Sequence, residues 1–274
     1  MDLPALIEKF LAWQRSRHCA ELTINNQAQD LERFHAFIKA NPQDPLTPAA
    51  IETYRKSRNI APISWNREAT SLRSLLRYAH GHGIIHDPVY HAVVMVKEPG
   101  KEPSVVQDIQ EADYKASTAD PRSRLIYRLM SFDGLRLCEV HRANAEDFHD
   151  GTTPALTVHG KGMRERTVYL HPETVKAPRP YLLARGLSPG PLFPSKTGRI
   201  CPRMIQYLVK DISEDLAPQI LRRTAVTATV NNLPDMAALP LVANQFGHTV
   251  PVLQKSYLHV DPAKVLAAKI GRAA

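Results

Sequence analysis

The sequence predicts a mainly α-helical chain of two domains, with a small antiparallel sheet confined to the second. Three observations carry this reading. Apolar residues recur at three- and four-residue spacing through the first hundred positions. A polar stretch rich in Pro and Gly follows, and beyond it two short alternating runs sit among further helical patterns. At 274 residues, with 43% hydrophobic and 23% charged residues, the chain has the makeup of an ordinary globular protein with room for two modest cores.

Leu3, Leu6, Ile7, Phe10 and Leu11 mark the first helix, and Ile24, Ala28, Leu31 and Phe34 the second. Thr47-Pro48 reads as an N-cap followed by proline in the first turn, ahead of Ile51 and Tyr54. A fourth helix is expected from about Ser64, with Trp65, Ala69, Leu72, Leu75, Leu76 and Ala79 inward and Arg67, Arg73 and Arg77 on its other side. Gly81 and Gly83 end it, and Asp87-Pro88 marks another turn. The run Lys97-Glu98-Pro99-Gly100-Lys101-Glu102-Pro103 lacks apolar periodicity and reads as a linker. It places a helical domain at 1–96 and a second domain at 104–274.

In the second domain Leu125 to Met130 is helical, while Ala155–Val158 and Arg166–Leu170 read as two strands. Between them His159-Gly160-Lys161-Gly162 forms a tight turn that presents one lysine. From Arg203 onward the pattern is helical again, with an interruption at Asn231-Asn232-Leu233-Pro234.

Net charge is +8, and both parts are basic: 12 Lys and Arg against 10 Asp and Glu before position 99, and 23 against 17 after it. A basic balance suits a polyanionic partner, because each neutralised phosphate releases counterions. No apolar run has bilayer length, and the opening MDLPALIEKF lacks a basic region followed by an apolar core. Neither a membrane span nor a signal peptide is expected. Cys19, Cys138 and Cys201 are odd in number and far apart, so they suggest neither a disulfide framework nor a zinc pattern, and a cytoplasmic home follows most simply. The spacing of His80, His82, His86 and His91 straddles Gly81, Gly83 and Pro88, so no helix face presents them together. They read as turn histidines or histidines near a polyanion rather than a metal site.

Four local features remain: Gly134-Leu135-Arg136-Leu137-Cys138-Glu139, the Lys161 turn, Leu221-Arg222-Arg223-Thr224, and Gly247-His248 followed nine residues later by Tyr257. In this order they resemble the tyrosine site-specific recombinase (phage integrase) family. That family carries an Arg in Gly-Leu-Arg-x-x-Glu, a Lys in a β-turn, His-x-Leu-Arg, Leu-Gly-His and a nucleophilic Tyr. Leu192 to Arg199 and the stretch from Tyr257 to Pro262 are similar to the family's flanking segments, and the first hundred residues to its SAM-like core-binding domain.

The resemblance implies a two-domain clamp on double-stranded DNA, with Arg67, Arg73 and Arg77 as DNA contacts. It implies a tetramer on DNA that exchanges strands through a Holliday junction, and a monomer or weak oligomer when free. Arg136 and Arg222 would bind the attacked phosphate, since guanidinium forks bond two oxygens at once and stay charged. Tyr257 would form a 3′-phosphotyrosine, Lys161 would protonate the leaving 5′ hydroxyl, and His248 would donate a hydrogen bond to the phosphate. Glu139 would orient the site. No metal, nucleotide or other cofactor is implied. The tail Ala263–Ala274 would form a short helix against a neighbouring protomer or its own domain, and the early start of the helices leaves no room for an arm-binding domain.

Each motif alone has a plain structural reading: a salt bridge for Arg136 and Glu139, a core hydroxyl for Tyr257, an exposed hairpin lysine for Lys161. One departure from the family pattern stands out. Gln219 occupies the place of the usual His in Gln219-Ile220-Leu221-Arg222, and glutamine cannot exchange a proton near neutral pH. Two other functions therefore stay open: a DNA-binding relative with attenuated or lost cleavage, and a type IB topoisomerase-like enzyme.

Overall fold

Proline placement and side-chain caps set where the helices of this computed structural model begin. The structure describes residues 2–97, 105–106, 108–160, 165–176, 181, 189–233 and 235–257. It divides into two units, Met1–Lys101 and Glu102–Ala274. Lys161, the tail 263–274 and, apart from Lys97, the stretch 97–103 lie outside the described residues.

The first unit holds α1 (Leu3–Ser16), α2 (Glu21–Ala40), α3 (Pro48–Ser57), α4 (Pro62–Gly81) and a 3₁₀ turn over Val89–Ala92. Thr47 caps α3 by accepting from the Ala50 amide at 3.3 Å. Pro62 starts α4 two residues before the expected Ser64, in the first turn where its missing N–H costs nothing. All six apolar residues expected to face inward on α4 are buried, packed with Phe10, Leu31, Phe34, Ile51 and Tyr54. The segment after the 3₁₀ turn is tied back to α4: Trp65 Nε1 donates to the Val94 carbonyl at 2.9 Å, and Asn66 exchanges two bonds with Val96.

Two buried carboxylates complete this core. Asp30 accepts from Arg33, Arg67 and Ser71, and Glu68 accepts from Tyr54 and both arms of Arg58. Buried charges persist only when paired in this way.

The second unit runs α5 (Ile109–Thr118), α6 (Pro121–Ser131), α7 (Leu137–Arg142), β1 (Phe148–His149), β2 (Ala155–His159), β3 (Glu165–Tyr169) and α8 (Pro172–Val175). It continues through β4 (Pro194–Ser195), β5 (Gly198–Arg199), α9 (Pro202–Ile212), α10 (Pro218–Asn231), a 3₁₀ turn (Met236–Ala238), α11 (Leu239–Phe246) and α12 (Val250–Tyr257). Asp108 and Asp120 cap α5 and α6 through the Glu111, Arg122 and Ser123 amides. The two expected strands pair antiparallel, with Val158 opposite Arg166 and Leu156 opposite Val168, and β1 adds a third strand.

Two features differ from the sequence expectation. The helical pattern from Arg203 breaks at Ser213–Ala217, where Ser213 leaves the α region and Pro218 starts a new helix. The Leu192–Arg199 segment contains a small hairpin, β4 paired with β5. The main core gathers Leu125, Ile126, Tyr127, Val168, Phe193, Ile205 and Leu221. A second cluster, including Val226, Leu239, Phe246 and Leu253, packs α10, α11 and α12 together. No helix among the described residues is long and apolar enough to cross a membrane.

Candidate active site

Arg136 sits at the N-cap of α7, reached through Gly134, whose φ of +62° lets the chain turn sharply before the helix. Glu139, one turn on, reaches back and accepts from the Arg136 backbone N–H at 2.8 Å and from Arg136 Nη1 at 3.0 Å. The other arm of Arg136 donates to the Gly247 carbonyl at 2.8 Å. Gly247 ends α11 in the left-handed region at φ +60°, and a Cβ there would lie 3.2 Å from Arg136 Nη1. Only glycine closes this corner without pushing a guanidinium aside.

Arg222 lies on α10 and is buried. It donates to the carbonyls of Gly134 and Phe246, and its Nη2 is 2.7 Å from His248 Nε2. Because the guanidinium can only donate, His248 Nε2 must accept, which requires a neutral ring with its proton on Nδ1. The electrostatics agree: burial, then the charges of Arg222, Arg136 and Arg166, push the His248 ring down to about 4. His248 thus orients Arg222, and any hydrogen bond it donates comes from Nδ1 alone.

A third guanidinium, absent from the sequence expectation, completes the cluster. Arg166 on β3 holds both Glu139 oxygens, at 2.7 and 3.0 Å, and its Nε donates to the Gln245 carbonyl at 3.1 Å. Its signal was positional: Arg166 alternates with buried Val168, so a charge occupies an inward-facing strand register. Burial pushes the Glu139 carboxyl up, but hydrogen bonds from Arg166 and Arg136 and their charges outweigh it and hold the group below its ordinary value. Three guanidinium charges against this one carboxylate leave a surplus of two positive charges around a neutral imidazole.

Gln219, in the first turn of α10, is exposed and lines the same cleft as Arg136, Cys138, Gln206 and Arg222. Tyr257 closes α12, which packs on α10 and α11, the helices that carry Arg222 and lead into His248. Its side chain lies outside the described residues, as does Lys161. The strands on either side of the Lys161 turn are described, and His159 at its entrance bridges Asp147 at 2.9 Å and Glu165 at 3.0 Å. Those two carboxylates raise the His159 pKa, opposite in direction to His248.

The three arginines of α4 are engaged within their own unit. Arg67 pairs with Asp30 at 2.6 Å, Arg73 donates to the Val93 carbonyl, and Arg77 lies over the Tyr90 ring. Arg67 and Arg77 remain exposed, Arg73 less so. His80 meets Tyr90 edge-on, while His82 lies tilted against Tyr78 and edge-on to Trp13. Among the described residues no group of three or more His, Cys, Asp or Glu side chains could hold a metal ion.

A pH titration checks the electrostatic reading. A ring neutral in the fold but protonated when unfolded lets the unfolded chain bind the extra proton below its ordinary 6.5. The contribution of His248 to stability is therefore present above pH 6.5 and lost as pH falls toward 4. Two-dimensional NMR should show His248 titrating near 4 and His159 above its ordinary value; a His248 midpoint above 6 would contradict the Arg222 contact.

No family model matches the chain. It is similar to the tyrosine recombinase XerC of Methylobacterium nodulans, 26% identical over 98% of this chain and 93% of that protein. It is also similar to the tyrosine recombinase XerD of Caulobacter vibrioides, 27% identical over 89% of this chain and 88% of that one. The fold matches the XerH site-specific recombinase bound to its palindromic difH substrate, with a TM-score of 0.74 at 17% identity, over 93% of this chain and 81% of that one. It also matches the lambda integrase (residues 75–356) bound to DNA, with a TM-score of 0.69 at 15% identity, over 91% and 94% of the two chains.

Proposed function

The chain belongs to the tyrosine recombinase family, and from that premise we propose that it is a site-specific DNA recombinase that cleaves and rejoins duplex DNA through Tyr257. The observation that carries this reading is the Arg136–Glu139–Arg166–Arg222–His248 constellation, whose two surplus positive charges suit the transition state. A phosphodiester brings one negative charge and a phenolate a second, so the pentacoordinate species is doubly negative where the arginines converge.

In the proposed step the Tyr257 hydroxyl gives its proton to water, and its oxygen forms a bond to phosphorus. The bond to the 5′ oxygen breaks, and that oxygen takes a proton from Lys161. Rejoining reverses the two transfers, and no cofactor enters. A phenol with a pKa near 10 in water needs the field of adjacent guanidinium groups to ionise, which Arg136 and Arg222 supply.

The two units, taken as domains 1–96 and 104–274 joined by 97–103, would clamp duplex DNA, with Arg67 and Arg77 as the exposed cations of α4. Arg73 supports the fold more than the contact, since its guanidinium is held at the Val93 carbonyl. Four copies on two DNA sites would exchange strands through a Holliday junction, in the cytoplasm at the nucleoid.

Gln219 favours a second reading, in which cleavage is attenuated. It lines the cleft but has no titratable proton to exchange with Tyr257. If the position serves a base, Gln219→His should raise the cleavage rate by about 10²-fold, the lower range for a positioned acid or base. If it only positions the phosphate, the rate should change by less than about threefold, within the ordinary spread of surface changes. Single-turnover cleavage of a nicked duplex recovered by binding selection from a random pool decides between them. Recombinant joints without general relaxation of supercoils support the recombinase over a topoisomerase-like enzyme; relaxation of any plasmid would contradict it.

A further inference from the structure

Within the cluster, the most exposed guanidinium is not the one that holds the buried carboxylate most completely. Arg136 keeps 37% of its side chain exposed and makes one side-chain bond to Glu139, whereas Arg166 keeps 13% and makes two. A bidentate guanidinium–carboxylate pair fixes both planes and satisfies the carboxylate almost alone.

We propose that Arg166 is a positioning residue of the cleavage site: it is the counter-ion of Glu139, so that Glu139 can aim Arg136 without consuming its charge. This inference rests on the proposed phosphodiester cleavage and adds to it a role for a residue that does not touch DNA. Two consequences follow from the geometry. First, Arg136 is held by Glu139 on one arm and the Gly247 carbonyl on the other, and its positive charge stays available to an anion in the cleft. Second, β3, the strand leaving the Lys161 turn, is fastened to α7 and to the end of α11 through one side chain. The cluster therefore ties Arg136 and Glu139 to β3, the strand that follows Lys161 in sequence.

Gly247 supports the same reading. A Cβ there would lie 3.2 Å from Arg166 Cζ and Nη1 as well as from Arg136 Nη1, so the glycine corner closes over both guanidinium groups at once. The Arg166 guanidinium is held by Glu139 and the Gln245 carbonyl beside this corner and keeps only 13% of its side chain exposed. A group with that confinement acts through its neighbours.

The test compares the wild type with Arg166→Gln, Arg166→Lys, Glu139→Gln and the Arg166→Gln/Glu139→Gln double variant. Each is assayed for single-turnover adduct formation and for affinity on the same selected nicked duplex, with thermal melting as the check on folding. Misplacing Arg136 by about 1 Å predicts that Arg166→Gln slows adduct formation about 10²-fold. Duplex affinity should stay within about threefold, since many other cations set it. Arg166→Lys should recover part of the rate, because one ammonium replaces the charge but not the fork.

The double variant should be scarcely slower than Glu139→Gln alone, since a neutral residue 139 needs no counter-ion. Multiplicative losses in the double variant, or Arg166→Gln cleaving at the wild-type rate, would overturn the proposal.

A second arm needs no DNA. Removing the Arg166 charge should raise the His248 midpoint from about 4, whereas Glu139→Gln should lower it. An unchanged His248 titration in both variants would overturn the proposed arrangement. Absence of any wild-type adduct would instead count against the recombinase reading, and the titration would still decide whether Arg166 and Glu139 hold their places beside His248.

Discussion

Arg222→Lys is expected to reduce adduct formation by about 10³-fold or more, the loss seen when a charge-stabilising donor or arginine is removed from a phosphoryl- or acyl-transfer site. The substitution keeps the charge, so a loss of this size would come from geometry. The Arg222 guanidinium serves the Gly134 and Phe246 carbonyls and His248 at the same time. An ammonium on a flexible stem cannot occupy those directions at once and still face the cleft. One carbonyl left unsatisfied and buried costs about 1–3 kcal/mol, and for a unit of this size each kcal/mol lowers the melting temperature by roughly 2–4 °C. The variant should therefore fold, melt a few degrees lower and still bind duplex while failing to cut it. Single-turnover cleavage alongside a melting curve separates the two effects. Near-wild-type cleavage would show that the Arg222 contacts do not serve catalysis.

Gly134→Ala is expected to be strongly disruptive for a change of one methyl group. The φ of +62° alone costs an alanine about 1–2 kcal/mol. The added Cβ would also lie 2.5 and 2.7 Å from the Phe246 ring, which is buried and held between α10 and α12. Forcing a methyl into a packed core adds about 1–3 kcal/mol. Together the two effects predict a loss of about 2–5 kcal/mol, and cleavage should fall with it because the carbonyls of Gly134 and Phe246 both orient Arg222.

Gly83→Ala is the matched control. Gly83 has nearly the same φ, +68°, with no atom within 4 Å of the added methyl, so only the backbone cost should appear. Equal losses at the two positions, measured by urea unfolding, would contradict the steric account.

Much of this architecture was legible because it is local. The inward residues of α4 recur at helical spacing, the proline and Thr47 signals mark helix starts, and the strand pair around the Lys161 turn alternates in register. Arg136 and Glu139 could be paired from sequence because one helical turn separates them.

The contacts that define the site are long-range and leave no period. Arg136 reaches Gly247 across 111 positions, Arg222 reaches Gly134 across 88, and Arg166 reaches Glu139 across 27. Arg166 was hidden inside a correctly expected strand, since alternation identifies which face a residue occupies but not what a charge on that face meets. The direction of His248 was invisible for a related reason. Its role depends on which ring nitrogen meets Arg222, and sequence carries no tautomer. Arg73 was placed among exposed cations by its helix face, yet the chain returning at Val93 captures its guanidinium.

Tyr257 is the proposed nucleophile of this arginine-lined site toward DNA. The direct measurement is peptide mass mapping of the covalent complex formed on a nicked duplex recovered from a random pool. One adducted peptide is expected, the one containing Tyr257, linked to a 3′ phosphate and absent from the Tyr257→Phe variant. No adduct on any selected duplex, or an adduct carried by another residue, would contradict it.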